Sequence, residues 1–262
     1  MKKTRFLALV GAGPVSRSPL VRMHAVLEHL GPVKSLSFRV ASRIANAIRS
    51  GFPAADYKDF EHIRIVLISV PARFLPRIVD ELASSAIDWR RKTVILCDAE
   101  HDSQALVPLA SRGAATASAV LLEDFDGQRL LVEGDHAALL AVRRLLARDT
   151  RLVELRRNTK AAYLAGITFL TALSSPMLAA AGDCFRIAGL SPQMTAQVIE
   201  RLTQRTLRAY LKAGRNTRAG TPALGELAAL ERINPDLAST YTDALRLAQR
   251  SRRRGRTRVA GA

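Results

Sequence analysis

The stretch Phe6-Leu-Ala-Leu-Val-Gly-Ala-Gly-Pro-Val-Ser16 does most to narrow what this chain can fold into. A short apolar run, Phe6 to Val10, meets Gly11-Ala-Gly13, and Arg17 to Leu30 can continue as a helix. Strand, tight glycine turn and helix, in that order, is the context in which a G-x-G-x-x-G-type motif carries meaning. Gly11 permits the sharp turn, Gly13 lets a pyrophosphate approach the backbone, and the first helical amides would face that anion. Ser16 takes the third position and is small enough for close helix–strand packing. The turn therefore predicts a dinucleotide held by Gly11, Ala12, Gly13, Val15 and Ser16.

The chain that follows agrees with such a turn. Ile63-Arg-Ile-Val-Leu-Ile-Ser-Val70 is a near-continuous β-branched run, as expected of a strand covered on both faces of a parallel sheet. Further strands are predicted over Val33–Phe38, Thr93–Cys97, Ala117–Leu122, Arg129–Val132 and Leu152–Leu155. Helices are predicted between them over Val40–Ser50, Phe74–Ser84, Ser103–Ser111 and Asp135–Ala147. Alternation of this kind predicts an α/β, doubly wound parallel sheet.

From about Asn158 the strand runs vanish. Helices are predicted over Thr159–Ala188, Pro192–Ala213, Thr221–Ile233 and Pro235–Arg250, punctuated by Gly189, Gly214, Gly220 and Asn234-Pro235. The domain boundaries are accordingly 1–155 for the sheet domain, 156–250 for an all-helical domain and 251–262 for a basic, disordered tail. Ala161 to Gly182 is uncharged and about as long as a membrane span. Its Thr, Ser and Pro residues favour a helix buried in a domain core or a subunit contact instead.

Charge and cysteine content limit the function classes. The formal charge is +17, and arginines crowd the end of the chain after Asp243. A tail of that kind attracts polyanions without specificity; with no interleaved aromatic residues, it does not predict a nucleic-acid partner. Cys97 and Cys184 are the only cysteines, too few for a disulfide framework or a metal motif. A cytoplasmic protein without metal fits. The basic, apolar start mimics a secretory signal, but its apolar run is short and ends in Gly-Ala-Gly-Pro, so it reads as the first strand.

Ligands of such sheets bind beyond the carboxyl ends of the strands, at the topological switch point. The second strand ends in Ser37-Phe-Arg39 rather than in an acidic residue, and Arg43 lies one helical turn further on. An arginine fork suits a 2′-phosphate, which predicts NADP over NAD. Ser69, Val70 and Pro71 at the end of the central strand would line the nicotinamide ribose. Asp98, Glu100, His101 and Asp102 form a polar cluster after the next strand, on the ligand side. Lys160 and Tyr163 open the long helix one turn apart, where a lysine or tyrosine could polarise a carbonyl or imine.

The whole arrangement resembles the Rossmann-like proteins joined to a helical domain of unknown function (number 2520), relatives of pyrroline-5-carboxylate reductase and the deazaflavin-dependent NADP oxidoreductases. The resemblance rests on Val10-Gly-Ala-Gly13, Val66-Leu-Ile-Ser-Val-Pro71, Leu131-Val-Glu-Gly-Asp135, Lys160-Ala-Ala-Tyr163, Ala188-Gly-Leu190 and Asn234-Pro-Asp-Leu-Ala-Ser-Thr-Tyr241. It implies an NADP(H)-binding oxidoreductase-like protein that reduces a carbonyl or imine by hydride transfer. It also implies a homodimer formed through a 6-phosphogluconate dehydrogenase-like C-terminal domain, with no membrane partner. Several polar positions of the family are replaced: Ala72 stands where Asp is common, and Cys97-Asp-Ala-Glu100 where His-Thr/Ser-Ser-Gly is common. Those replacements sustain an alternative, a catalytically degenerate dinucleotide-binding sensor or structural dimer.

Overall fold

The computed structural model describes residues 5–12, 23–122, 129–146, 150–214 and 225–259. Contacts divide the chain into two compact units, Met1–Gly166 and Ile167–Ala262.

The first unit is built on one eight-stranded sheet. Its strands are β1 (Leu7–Gly11), β2 (Leu30–Lys34), β3 (Phe52–Pro53), β4 (Ile65–Ser69), β5 (Thr93–Cys97), β6 (Ala115–Leu121), β7 (Arg129–Gly134) and β8 (Arg151–Glu154), in the order β3-β2-β1-β4-β5-β6-β7-β8. From β3 to β6 every pairing is parallel. Strand side chains alternate between faces, and both faces are buried. Leu7, Leu9, Ile65, Leu67 and Ile95 pack on one side against Ala41, Ile44 and Ala45 of α2 (Phe38–Ile48) and Ala138, Val142 and Leu145 of α5 (His136–Leu145). Val10, Val66, Ile68 and Leu96 pack on the other against Leu75, Ile78, Val79 and Leu82 of α3 (Leu75–Ser84), with Phe60 and Trp89. Each large apolar side chain so buried contributes about 1.5–3 kcal/mol.

The sheet is mostly parallel, as the sequence predicts, with one antiparallel step. β6 and β7 pair antiparallel, and β8 then runs parallel to β7. The reason is length. Only residues 122–128 link β6 to β7, too few for the crossover a parallel partner requires. The turn expected at Asp126-Gly127 lies outside the described residues.

Two helices connect strands near the start and middle. Of the helix expected over Arg17–Leu30, residues 17–22 lie outside the described residues; α1 (His24–His29) is described, and Leu30 already begins β2. A short α4 (Val107–Ala110) follows β5.

The second domain was expected from residue 156, yet the division falls inside α6 (Lys160–Leu170). The start of that helix is bonded into the first unit by contacts described below. The predicted single helix Thr159–Ala188 is two, α6 and α7 (Ser175–Ile187). Thr171 and Ser174 donate their hydroxyls back to the carbonyls of Ile167 and Leu170, and Pro176 lacks an N–H for the next turn. Ser191 caps α8 (Pro192–Ala213), and α9 (Glu226–Ile233) packs on α10 (Pro235–Val259). Residues 251–259, expected to be disordered, continue α10. Arginine is a strong helix former, and no proline follows Pro235 to stop the helix.

The helical run Lys160–Ile187 is long and apolar enough to cross a membrane by length and composition, with a mean hydropathy of 1.6 in its most apolar window. None of that window is buried within the chain, which overturns the core-helix expectation for it. Phe169, Leu170, Leu173, Met177 and Leu178 are all exposed.

Candidate active site at the carboxyl edge of the sheet

The topological switch point lies beside β1, whose two neighbours, β2 and β4, lead the chain to opposite sides. Gly11 ends β1, and the Ala12 N–H donates to the Ser69 carbonyl at 3.0 Å, so that amide belongs to the ladder and not to a ligand. A Cβ on Gly11 would stand 3.4 Å from Ile44 Cδ1, at the limit of ordinary packing. Gly13, Val15 and Ser16 lie outside the described residues.

β2 ends at Lys34, four residues before the predicted end. Ser37 is the physical reason: its hydroxyl accepts from the Val40 N–H at 3.3 Å and so caps α2. Arg39 therefore sits in the first turn of α2, exposed and without an ion pair among the described residues. Sequence reasoning missed the two residues that do close the strand. Lys34 donates to the Ser35 carbonyl at 3.0 Å and lies 5.6 Å from the centre of the Tyr57 ring. Ser35 is 4% exposed, and its hydroxyl finds no partner among the described residues. A buried hydroxyl without a partner among the described residues is unusual. No acidic side chain lies between Lys34 and Arg39.

At the end of β4, Ser69 is half-buried, Val70 is buried and Pro71 is exposed at the head of a short turn. At the end of β5, burial pushes the Cys97 thiol up to about 12, which leaves it protonated and inert near neutrality. The polar cluster beyond it is ordered by Asp98. Its carboxylate accepts from the backbone N–H groups of Glu100 and His101 and meets His101 Nδ1 at 2.6 Å. A carboxylate on Nδ1 fixes the ring and leaves Nε2 for proton exchange. Sequence reasoning had noted these residues without this pairing, for which the i, i+3 spacing Asp98–His101 was the available signal.

Lys160 opens α6 with its side chain turned into the first unit. It is 1% exposed, and its ammonium donates to the carbonyl of Asp98, to the carbonyl of His101 at 2.7 Å and to Ser118 Oγ at 2.6 Å. Three protons meet three acceptors, so none is left for a substrate. Burial lowers its pKa, while Asp98 and Glu133 oppose that shift. Beneath it, the fully buried Glu133 accepts from the Ser103 N–H and hydroxyl and from the Asn158 N–H. These bonds tie the start of α6 to the loop after β5 and to strands β6 and β7. Tyr163, one turn further on, is half-buried. Among the described residues no group of three or more His, Cys, Asp or Glu could hold a metal ion.

No protein-family profile matches the sequence, and no curated protein matches it. Solved structures do match in fold. A Bacteroides fragilis protein provisionally assigned as an NADP oxidoreductase is 12% identical, with a TM-score of 0.64 over 95% of this chain and 99% of that one. An Aspergillus terreus imine reductase in complex with NADPH4 and a dibenzazepine is 17% identical, with a TM-score of 0.61 over 98% and 95%. A Myxococcus stipitatus imine reductase variant in complex with NAD+ is 16% identical, with a TM-score of 0.62 over 98% and 95%. At such identities the likeness establishes the fold: a Rossmann-like sheet followed by a helical region.

Proposed function

We propose that this chain is an NADP(H)-dependent oxidoreductase that reduces a carbonyl or imine. The observation that carries the reading is the end of β2, where Ser35 has a buried hydroxyl without a partner among the described residues and the stretch Lys34 to Arg39 contains no acidic residue. That set suits the 2′-phosphate of NADP and lacks the carboxylate that usually accepts from the free ribose diol of NAD. The solved structures of this fold include reductases carrying NADPH, which supports the same reading.

The residues present fit the cofactor. Gly11 and the glycine turn after it, Gly13 to Ser16, would hold the pyrophosphate, Arg39 the 2′-phosphate, and Ser69 to Pro71 the nicotinamide ribose. The bound cofactor would supply the hydride. The chain's own part is proton supply and positioning. His101, oriented through Nδ1 by Asp98, presents Nε2 as the group that gives up a proton and regains one from water. Lys160 holds the backbone of that loop at both Asp98 and His101, while Tyr163 stands one turn along the same helix as a second hydroxyl donor.

Titration with NADPH and NADH tests the reading. NADPH should bind in the micromolar range and NADH at least tenfold more weakly. Arg39→Ala should weaken NADPH by about tenfold, since a charge-assisted bond contributes about 1.5–3 kcal/mol, and leave NADH unchanged. Failure of both nucleotides to bind at millimolar concentration would sink the proposal.

We further propose that a second copy of the chain covers the exposed apolar residues of α6 and α7. An apolar surface on this scale marks an interface in a soluble protein. Sedimentation should report a dimer, and Leu170→Asp with Leu173→Asp should convert it to a folded monomer. A wild-type monomer at micromolar concentration would exclude the arrangement.

A further inference from the structure

The sheet's amino edge, opposite the nucleotide edge, carries a row of arginines that neither the fold nor the proposed chemistry uses. β1, β3, β4, β5 and β6 each begin shortly after an arginine: Arg5, Arg49, Arg64, Arg90 with Arg91, and Arg112. The row is fixed by backbone bonds. The Arg64 N–H donates to the Phe6 carbonyl at 3.1 Å, the Thr93 N–H to the Arg64 carbonyl at 2.9 Å, and the Ala115 N–H to the Lys92 carbonyl at 2.9 Å. The starts of β1, β4, β5 and β6 are thus lateral neighbours, about 4.8 Å apart from strand to strand.

Two cations of this edge serve the fold. Lys92 donates to the carbonyls of Phe60, Glu61 and Ile63, and Arg112 to those of Ala83, Ser85 and Ile87. The other five differ. Arg5, Arg49, Arg64, Arg90 and Arg91 are exposed, and none has an ion pair among the described residues. Arg49 and Arg91 also hold left-handed backbone, with φ of 58° and 62°, a conformation that Gly or Asn adopts with less strain. Clefts of about 540 and 390 Å³ open beside them, the first between Arg5 and Arg49, the second between Arg64, Arg90 and Arg91. The acidic side chains lining this edge are Glu28, Glu61 and Asp88, which leaves the cations in excess.

Aromatic rings stand among the charges. Phe52 is exposed, with the Arg5 guanidinium 5.4 Å from its ring centre, and Phe6 stacks on His29 at 4.7 Å. Unpaired arginines along a line, with an exposed ring beside them, form the combination that takes phosphates on the cations and a base on the ring. A base-free polyanion would use the charges and ignore Phe52.

We propose that the amino edge of the sheet binds single-stranded nucleic acid, with phosphates on Arg5, Arg49, Arg64, Arg90 and Arg91 and a base against Phe52. The interleaving of rings and cations that the arginine-rich end of the chain lacks in sequence is assembled here by the fold. Binding at this edge leaves the nucleotide edge of the sheet free.

The test is fluorescence anisotropy of the full chain with a labelled twenty-nucleotide oligothymidylate at 50 mM salt. The wild type should bind at micromolar concentration or tighter. The triple variant Arg64→Glu, Arg90→Glu, Arg91→Glu should weaken binding at least tenfold and reduce the slope of log K against log salt by about 2, since each phosphate contact contributes about 0.7 for a single strand. A control with the same charge change, Arg144→Glu, Arg151→Glu, Arg156→Glu, should weaken it less than threefold, and circular dichroism should show both variants folded. Phe52→Ala should cost at least threefold for the oligonucleotide and nothing for inorganic polyphosphate. Absence of binding at 50 mM salt, equal effects of the two triple variants, or a Phe52→Ala variant indistinguishable from wild type on both ligands each overturns the proposal.

Discussion

Gly134→Ala should lower the melting temperature of the first unit by about 6–20 °C, although it adds one methyl group. Gly134 ends β7 with φ +144°, a backbone region closed to other residues without strain. A Cβ there would lie 2.3 Å from the Thr116 carbonyl oxygen, 2.5 Å from Ala117 Cα and 2.9 Å from Ala117 Cβ. Two of these are backbone atoms of β6, the antiparallel partner, and cannot rotate away. The strand pair must separate, which also disturbs the bonds that Asp135 makes to the Thr116 N–H and hydroxyl. Strain and a lost ladder together should cost about 3–5 kcal/mol, and a unit of this size loses about 2–4 °C per kcal/mol. Thermal unfolding followed by circular dichroism reads the effect. A shift under 3 °C would mean that β7 leaves β6 earlier than Gly134.

The same position shows how sequence and structure relate in this chain. Leu131-Val-Glu-Gly-Asp135 counted at first only as a motif of resemblance, and each of its polar positions has a structural task. Glu133 is fully buried and gathers Ser103 and Asn158, Gly134 lets β7 lie against β6, and the Asp135 carboxylate accepts from the Thr116 N–H and hydroxyl of β6. The elements themselves were legible where one signal dominated. β5 lies where the apolar run placed it, and α8 where Pro192 and Gly214 placed it. Errors arose where a local signal competed with an apolar run. Val33 to Phe38 reads as a strand, but the Ser37 cap starts α2 within it and moves Arg39 onto a helix. The site was legible in part. Gly11 and Ser69 follow from pattern, since they end strands on the ligand edge. The Ser35 hydroxyl, the Asp98–His101 pair and the three acceptors of Lys160 are set by distances across loops, which no periodicity encodes.

Lys160→Met separates the two roles open to that lysine. If its ammonium serves the loop after β5, Met keeps the stem and removes the bonds to Asp98, His101 and Ser118. The Ser118 hydroxyl still donates to the His101 carbonyl at 3.1 Å, so the Asp98 carbonyl is the group left most exposed to loss. Orphaning a buried acceptor costs about 1–3 kcal/mol, and the loss of a charged donor brings the total to about 2–4 kcal/mol. The melting temperature should fall by about 5–10 °C. The loss should also depend on pH, with a definite sign. Burial lowers the lysine's pKa below its ordinary 10.5. Between the lowered value and 10.5 the folded chain therefore binds fewer protons than the unfolded chain. The wild type gains stability from this group as pH rises through that window. Met cannot titrate, so the gap between wild type and variant should widen from pH 7 to pH 10. NADPH affinity should change less than threefold, because the Lys160 ammonium serves the loop after β5 and the proposed phosphate contacts lie after β1 and β2. An unchanged melting temperature would detach Lys160 from the loop and return it to the list of side chains that can reach a substrate.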